Sequence, residues 1–528
     1  MQLSASGYNG CVSAPHAPAA KAALAILEAG GTAIEAMVAA ASTIAVSYPH
    51  MNGIGGDCFW LVKQKGRSPV SVFGGGPSAN LATAEWFASR GHTQIIPPRG
   101  PLAALTVPGA VDGWRKALEL VDDRKRMPLK ELLASAIDLA RNGTAITDSQ
   151  HRYTCAKLAE LENVPGFSNT FLHQGNPPAE GDRLYQRTLA DTLQFIADQG
   201  LRAFYDGDIA SENARFLEAQ GSPLRLEDFR QFHATFVEPL ICRTPSGSLY
   251  NLAPPTQGLA SLIILALFGR LDIAESDSFA HVHGLVEATK QAFIVRNATI
   301  GDPDFLAENS TNYLCDQQLD ALATKIDSQT ALPWPYAGQE GDTVWMGAID
   351  HEGTVVSFIQ SIYWEFGSGL VCPSTGVIFQ NRGASFSLTG GPNQLAPRKR
   401  PFHTLNPAMA ILNDDRILAY GTMGGEGQPQ TQAAIFTRYA CFDQSLEQAI
   451  SAPRWLLGRT WGDTTTSLKL ERSLSAGLID DLKAAGHQIE IIADKSDLVG
   501  HAGAVSVSPN GLMVAACDPR SNGLATAF

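Results

Sequence analysis

A threonine at the head of a strand, directly after a loop rich in chain breakers, is where this sequence comes closest to declaring chemistry. The stretch Ala331-Leu332-Pro333-Trp334-Pro335-Tyr336-Ala337-Gly338-Gln339-Glu340 delivers Gly341-Asp342-Thr343 to an alternating run that ends at Asp350. His351-Glu352-Gly353 reads as a turn and Thr354 to Ile362 as the returning strand of a hairpin. A threonine hydroxyl is a weak nucleophile and needs a base. Cleavage between Asp342 and Thr343 supplies one in the freed α-amine, whose unperturbed pKa of about 7.7 to 8.0 suits it to take that proton at neutral pH. Left uncut, Thr343 is an ordinary strand residue, and Ser361 on the returning strand an ordinary solvent-facing serine.

A second constellation is Gly421-Thr422-Met423-Gly424-Gly425-Glu426-Gly427-Gln428-Pro429, ahead of a helix read from Pro429 to Phe442. Backbone N–H groups just before a helix N-terminus offer free donors and a positive dipole end, which suits Gly424 and Gly425 to hold a developing oxyanion. The bland alternative is a plain turn. Other candidates fail on spacing. Gly53-Ile54-Gly55-Gly56 is followed by a strand, Cys58 to Val62, where a phosphate loop requires a helix, so these glycines are expected to serve close backbone packing. His50 is expected to be a buried, satisfied histidine. His281 and His283, two apart on one helix, point to different sides, and no HExxH or Cys/His ligand set stands elsewhere. Neither metal nor cofactor is expected.

The elements that must position these residues are legible in outline. Pro18 to Glu28 reads as an alanine-rich helix stopped by Gly30-Gly31, and a second runs from Thr32 to Val46 to complete a helical hairpin. Further helices are read at 79–90, 110–120, 129–141, 184–198, 209–219, 259–271, 281–298 and 475–485. Ala408–Leu412 with Arg416–Tyr420, and Gly503–Val507 with Leu512–Cys517, are two more hairpins. Strands and helices in both halves suit an α+β architecture of stacked sheets between helix layers.

With 528 residues, 45% hydrophobic and 17% charged, the chain can bury a large core. A net charge of −13 gives no basic field to collect phosphates, which argues against nucleic acid or an anionic membrane as partner. The first ten residues lack the positive and apolar regions of a signal peptide, and no apolar run reaches membrane-spanning length, so a cytoplasmic protein is expected. Eight cysteines without CxxC pairing are expected to be reduced and mostly buried.

Thr343 to Ile362, Glu365-Phe366-Gly367-Ser368-Gly369-Leu370-Val371 and Gly376-Val377-Ile378-Phe379-Gln380-Asn381, in that order, resemble the small-subunit start of the γ-glutamyltransferases. The resemblance covers nearly the whole chain. It implies a four-layer αββα sandwich of the N-terminal nucleophile hydrolase type, made as one chain and split into a large subunit, residues 1–342, and a small subunit, residues 343–528. It also implies Thr343 as nucleophile, Ser361 as an assistant in processing and catalysis, and Gly424 and Gly425 as the oxyanion hole.

The departures bear on substrate. Where γ-glutamyl enzymes carry an arginine for the substrate α-carboxylate, this chain has Gly74-Gly75-Gly76 before Pro77, and where they carry an aspartate for the α-amino group it has Ser385. Tyr363 stands where asparagine is usual, and His403-Thr404 replaces a serine pair of the pocket. A buried ammonium or carboxylate without a partner costs several kcal/mol, so these losses weigh against a γ-glutamyl substrate. The same motif gains Arg382, which fits an anion held closer to the nucleophile. A cytoplasmic subgroup with glycine at the anchor position acts on small amides. It points to oxamate or a similarly small acidic amide, cleaved to oxalate and ammonia in purine-nitrogen breakdown, with Arg382, Ser385, Tyr363, His403 and Thr404 lining the site. Two alternatives stand beside it: a γ-glutamyl hydrolase or transferase with an altered pocket, and an unprocessed binding protein of the same fold. The expected partners are the substrate and the two subunits of one precursor, with a higher homo-oligomer left open.

Overall fold

The opening helical hairpin forms as its caps dictate. Helix Ala17–Glu28 precedes helix Ala33–Ser47, and at the junction the Thr32 hydroxyl accepts the Glu35 N–H while the Glu35 carboxylate accepts the Thr32 N–H at 2.8 Å. Glu35 is buried, and its second oxygen takes the Met127 N–H at 2.6 Å, so one carboxylate caps a helix and fastens a distant loop. The structure, a computed structural model, describes residues 2–335, 342–458 and 466–528. Gly341 and the loop residues 336–340 before it lie outside the described residues.

Two antiparallel seven-stranded sheets carry the fold. The first runs Ser4–Gly7, Met513–Cys517, Ala502–Val507, Ile417–Thr422, Ala408–Leu412, Gly247–Asn251, Leu240–Thr244. The second runs Leu524–Ala527, Gly10–Ala14, Asp342–Asp350, Val355–Tyr363, Asp57–Lys63, Val70–Gly74, Thr235–Val237. Both sheets contain strands from either side of Asp342, so a boundary there divides the sequence without dividing the body. Three cores confirm four layers: one beneath the helices on the second sheet, one beneath those on the first, and one between the sheets. The described helices include none long and apolar enough to cross a membrane.

The inter-sheet core is keyed by Trp345, two residues after the candidate nucleophile. Its indole is buried and donates through Nε1 to Ser357 Oγ at 3.0 Å. It lies against the first sheet at Gly421 and Gly503, paired neighbours where a Cβ would collide with the ring. The glycines let a large ring fill the space between the sheets, and burial of an aromatic of this size dominates local energetics.

Several elements differ from expectation. The segment 79–90 is helical only from Ala84 to Ala88, because Ser78 and Ala79 donate their N–H groups to Lys399 and Leu105 of neighbouring segments. The helix expected at 129–141 breaks at Leu133 into Leu129–Leu132 and Ala134–Asn142. The helix expected at 184–198 starts at Arg187, since Arg183-Leu184 pairs with Thr144-Ala145. The helix after the glycine pair is Gly427–Phe436 and then widens into a π turn, Thr437–Cys441. Helix Asp148–Leu161 and strands Leu240–Thr244 and Gly247–Asn251 were not foreseen. All eight cysteines are free, five of them buried.

Gly421→Ala places a methyl group on the Trp345 ring, and overpacking of this kind costs about 1 to 3 kcal/mol. The urea midpoint is expected to fall, and Trp345→Phe is expected to relieve part of the loss. Additive losses in the double variant would show that the two residues do not share the slot.

Candidate active site

Thr343 sits in a bulge. Asp342 pairs with Tyr363 and Val344 with Gln360, so the single residue Thr343 faces Ser361 and Ile362 on the neighbouring strand. Both Thr343 and Ser361 are buried, which removes the reading of Ser361 as a solvent-facing serine. The Ser361 hydroxyl accepts the Tyr363 N–H at 2.7 Å, and Tyr363 takes a φ of 83°, a left-handed conformation costly for a bulky residue. That strain aims the Tyr363 ring beneath Arg382, whose guanidinium carbon lies 4.0 Å from the ring centroid.

Arg382 opens a short 3-10 turn, Arg382–Ser385, and is fully buried. Its hydrogen bond is Nη1 to Thr404 Oγ1 at 3.4 Å; its Nε has no acceptor, and no carboxylate among the described residues stands within ion-pair distance. Burial lowers its pKa to about 10, against the attraction of Tyr363 and Asp57, so the group stays cationic at neutral pH. Ser385, in the same turn, lines a cavity of about 240 Å³ with Arg296, Asn393 and Phe402.

His403 and Asp57 complete the buried cluster. His403 Nε2 lies 3.1 Å from Asp57 Oδ2, though out of line for a good hydrogen bond. Burial, then the Arg382 charge, push the His403 pKa down to about 4 against the pull of Asp57, leaving a neutral ring. Asp57 escaped the sequence reading, and its partners explain the glycines above it. Its Oδ1 accepts Gly76 N–H at 3.2 Å, Gly109 N–H at 3.0 Å and Gln380 Nε2 at 3.1 Å. A Cβ on Gly76 would fall on the Val107 carbonyl, so at this position the chain approaches too closely for a side chain and presents its backbone N–H to Asp57 instead. The expected packing role of the earlier cluster also holds: Cβ atoms on Gly55 and Gly56 would fall on the carbonyls of Ile378 and Ser361.

Gly424 and Gly425 take φ of 108° and 50° between strand Ile417–Thr422 and helix Gly427–Phe436. Their carbonyls accept from Gly427 and Gln428, while their N–H groups have no acceptor among the described residues. Residues that spacing could not reveal hold this turn. Gln257 Nε2 donates to the carbonyls of Gly425 at 2.7 Å and Thr404 at 2.6 Å; Arg296 donates to Gln257 Oε1 at 3.2 Å and to Glu426 Oε1 at 2.6 Å. One buried arginine thus ties the oxyanion candidates to the segment that carries His403 and Thr404.

His281 and His283 do face different ways, toward Thr437 and His487. His283, Glu287 and His487 are near enough to one another to ligate a metal, but every ligand atom has a protein partner. His283 Nδ1 meets His487 Nε2 at 2.9 Å, its Nε2 meets the Asp327 carbonyl at 2.8 Å, and Glu287 is paired with Lys290 at 2.6 Å. An added cation would have to displace an ammonium, so this cluster is no fit for one.

A buried threonine, backbone donors without an acceptor among the described residues, and a buried cation without a carboxylate partner among them are each of a kind that acyl transfer employs. Comparison with known proteins agrees with the chemistry. The gamma-glutamyltranspeptidase family model matches residues 19–528. The chain is 50% identical over 525 residues to the oxamate amidohydrolase proenzyme of Klebsiella pneumoniae, covering 98% of each. It is 38% identical to the glutathione hydrolase-like YwrD proenzyme of Bacillus subtilis, covering 99% of each. The crystal structure of cephalosporin acylase from Bacillus halodurans superposes with a TM-score of 0.92 at 30% identity, covering 100% of this chain and 97% of that one. The chain therefore belongs to the gamma-glutamyltranspeptidase family and is an amide hydrolase of the N-terminal nucleophile type.

Proposed function

We propose that this enzyme cleaves itself before Thr343 and then hydrolyses a small amide with a carboxylate beside the scissile carbonyl, oxamate being the simplest. The observation that carries the reading is Arg382, a fully buried cation with no carboxylate partner among the described residues, stacked on the residue that neighbours the nucleophile bulge. An unpaired buried charge is costly, and a substrate anion repays the cost by a two-pronged contact with the guanidinium. The 50% identical relative named for oxamate supports the same choice. The eight free cysteines suit a reducing, cytoplasmic setting.

In self-cleavage the Thr343 hydroxyl attacks the Asp342 carbonyl carbon. The C–N bond breaks as the Thr343 nitrogen takes up the proton, and water hydrolyses the resulting ester to an Asp342 carboxylate and a free Thr343. In turnover the α-amine removes the hydroxyl proton while the oxygen attacks the amide carbon. The oxyanion is held by the Gly424 and Gly425 N–H groups, and the α-ammonium passes its proton to the departing amine, which leaves as ammonia. A water, deprotonated by the same amine, then releases oxalate from the threonine ester. Arg382 holds the carboxylate throughout, and neutral His403 with Thr404 shapes the wall beside it.

Purified protein is expected to run as two bands, the smaller beginning at Thr343, while Thr343→Ala remains one chain. A fully active, uncut wild type would overturn the mechanism.

Arg382→Ala is expected to process normally but lose about 2 to 5 kcal/mol of transition-state binding, roughly thirty-fold to several-thousand-fold in kcat/KM for oxamate. Arg382→Lys recovers part of it, since a point charge replaces a planar fork. Ammonia release from glutamine or glutathione in place of oxamate would transfer the site to γ-glutamyl substrates.

Activity is expected to rise with pH through the titration of the Thr343 α-amine, because the base works only when deprotonated. His403, at about 4, is already neutral above roughly pH 5 and adds no step there. A neutral-pH step that disappears in His403→Asn while Thr343 stays exposed would reassign the base.

A further inference from the structure

Helix Phe279–Thr299 buries a charged pair far from the cluster around Arg382. Glu287 and Lys290 are 1% and 2% exposed, with Nζ 2.6 Å from Oε1. Both charges converge on the backbone of one residue: Lys290 Nζ donates to the Leu332 carbonyl at 2.6 Å, and Glu287 Oε2 accepts the Leu332 N–H at 3.1 Å. The adjoining Ala331 N–H donates to the Ala485 carbonyl at 2.8 Å. Side-chain burial does not account for the docking, because Leu332 leaves 36% of its surface exposed. The segment is held by its backbone, and by opposite charges at the two ends of a single residue. Pro333 and Pro335 then stiffen the chain that leaves this point toward Asp342, ten residues on.

We infer that the buried Glu287–Lys290 pair is a clamp on the segment ahead of the scissile bond, positioning it for self-cleavage. The inference rests on the reading of Thr343 as exposed by cleavage of the Asp342–Thr343 bond. Attack by the Thr343 hydroxyl requires the torsions around the Asp342–Thr343 peptide to align the hydroxyl with the Asp342 carbonyl carbon. Downstream, Thr343 is fixed by its strand, itself anchored by Trp345. Upstream, Leu332 is where buried side chains hold the backbone ahead of the scissile bond. A buried ion pair adds little net stability, and an apolar pair of similar volume often serves as well. Directing both charges at a loop backbone gives the pair a use that an apolar pair cannot supply. Glu287 and Lys290 are positioning residues, since they touch neither the reacting atoms nor substrate. After cleavage the same contacts would still hold Leu332 of the large subunit to the helix.

The test compares processing with turnover. Freshly translated chains are followed from one band to two, the Thr343 terminus is quantified, and oxamate turnover is expressed per exposed Thr343. Glu287→Leu/Lys290→Met, which removes both charges together, is expected to slow processing at least tenfold while turnover per exposed Thr343 stays within twofold of wild type. Leu332→Pro deletes the N–H that Glu287 accepts without touching the helix and is expected to slow processing severalfold. Leu332→Ala, which keeps both backbone bonds, is expected to process at the wild-type rate. Processing of Leu332→Pro at the wild-type rate overturns the clamp even if the double variant fails to fold. Parallel loss of processing, turnover per site and thermal stability in the charge-free variant also overturns it, since that is the pattern of a structural pair. Wild type that never yields a Thr343 terminus is a different result, and overturns the reading of the cleavage site itself.

Discussion

Everything at the candidate site hangs on how two sheets are held face to face by one indole. Trp345 occupies a slot cleared by Gly421 and Gly503 on the opposite sheet, and its Nε1 is fixed by Ser357 on its own. Two residues toward the N-terminus along its strand lies Thr343. Three and four residues beyond Gly421, in the turn after the other strand, lie Gly424 and Gly425. The candidate nucleophile lies in one sheet and the candidate oxyanion donors follow a strand of the other, so the packing of a rigid ring between the sheets bears on their relation. Loops alone do not hold such geometry, and catalytic constellations depend on it at the level of an ångström. The glycine turn is stiffened again through Gln257, Arg296 and Glu426, so its free N–H groups are a fixed feature of the fold.

The electrostatics beside Thr343 follow from a substitution of backbone for side chain. At Gly76 the chain comes so close to the Val107 carbonyl that no side chain fits there. Its backbone instead helps to fix Asp57 Oδ1, with Gly109 and Gln380 supplying the other donors. Asp57 lies beside His403 and pulls on Arg382 from outside ion-pair distance, which favours the guanidinium charge without consuming its hydrogen-bonding edge. A buried arginine paired directly with a carboxylate would be more stable and less useful. The guanidinium thereby stays without a carboxylate partner among the described residues, with a neutral histidine near it.

Local pattern revealed the hairpins, the alanine-rich helices and the breaker-flanked threonine, because period, caps and turn residues act over a few positions. The turn at Gly424 and Gly425 was legible for the same reason: adjacent glycines between a strand and a helix admit the positive φ values that this turn uses. Asp57, Gln257, Arg296 and the Glu287–Lys290 pair were not, since each gains its role from partners far away in sequence. An acidic residue at the start of an apolar strand gives no local sign that three donors will converge on it. Propensity misled at 79–90, where Ser78 and Ala79 give their N–H groups to neighbouring segments and a helix is delayed to Ala84. At 129–141 the apolar spacing survives the break at Leu133, because both short helices still turn buried faces inward.

The sheet order also explains why a chain of this design tolerates being cut. Strand Asp342–Asp350 lies between Gly10–Ala14, from the beginning of the chain, and Val355–Tyr363, which follows it. In the first sheet, strand Ser4–Gly7 pairs with Met513–Cys517, and Gly247–Asn251 with Ala408–Leu412. A break before Thr343 removes one covalent link and leaves each of these ladders intact. The two pieces would still share both sheets and the core between them, and separating them would mean exposing that core to water, at roughly 25 cal/mol for each Å² of apolar surface. The constraint on the peptide is lost while the constraint on Thr343 is kept. A nucleophile that owes its free amine to chain cleavage needs both.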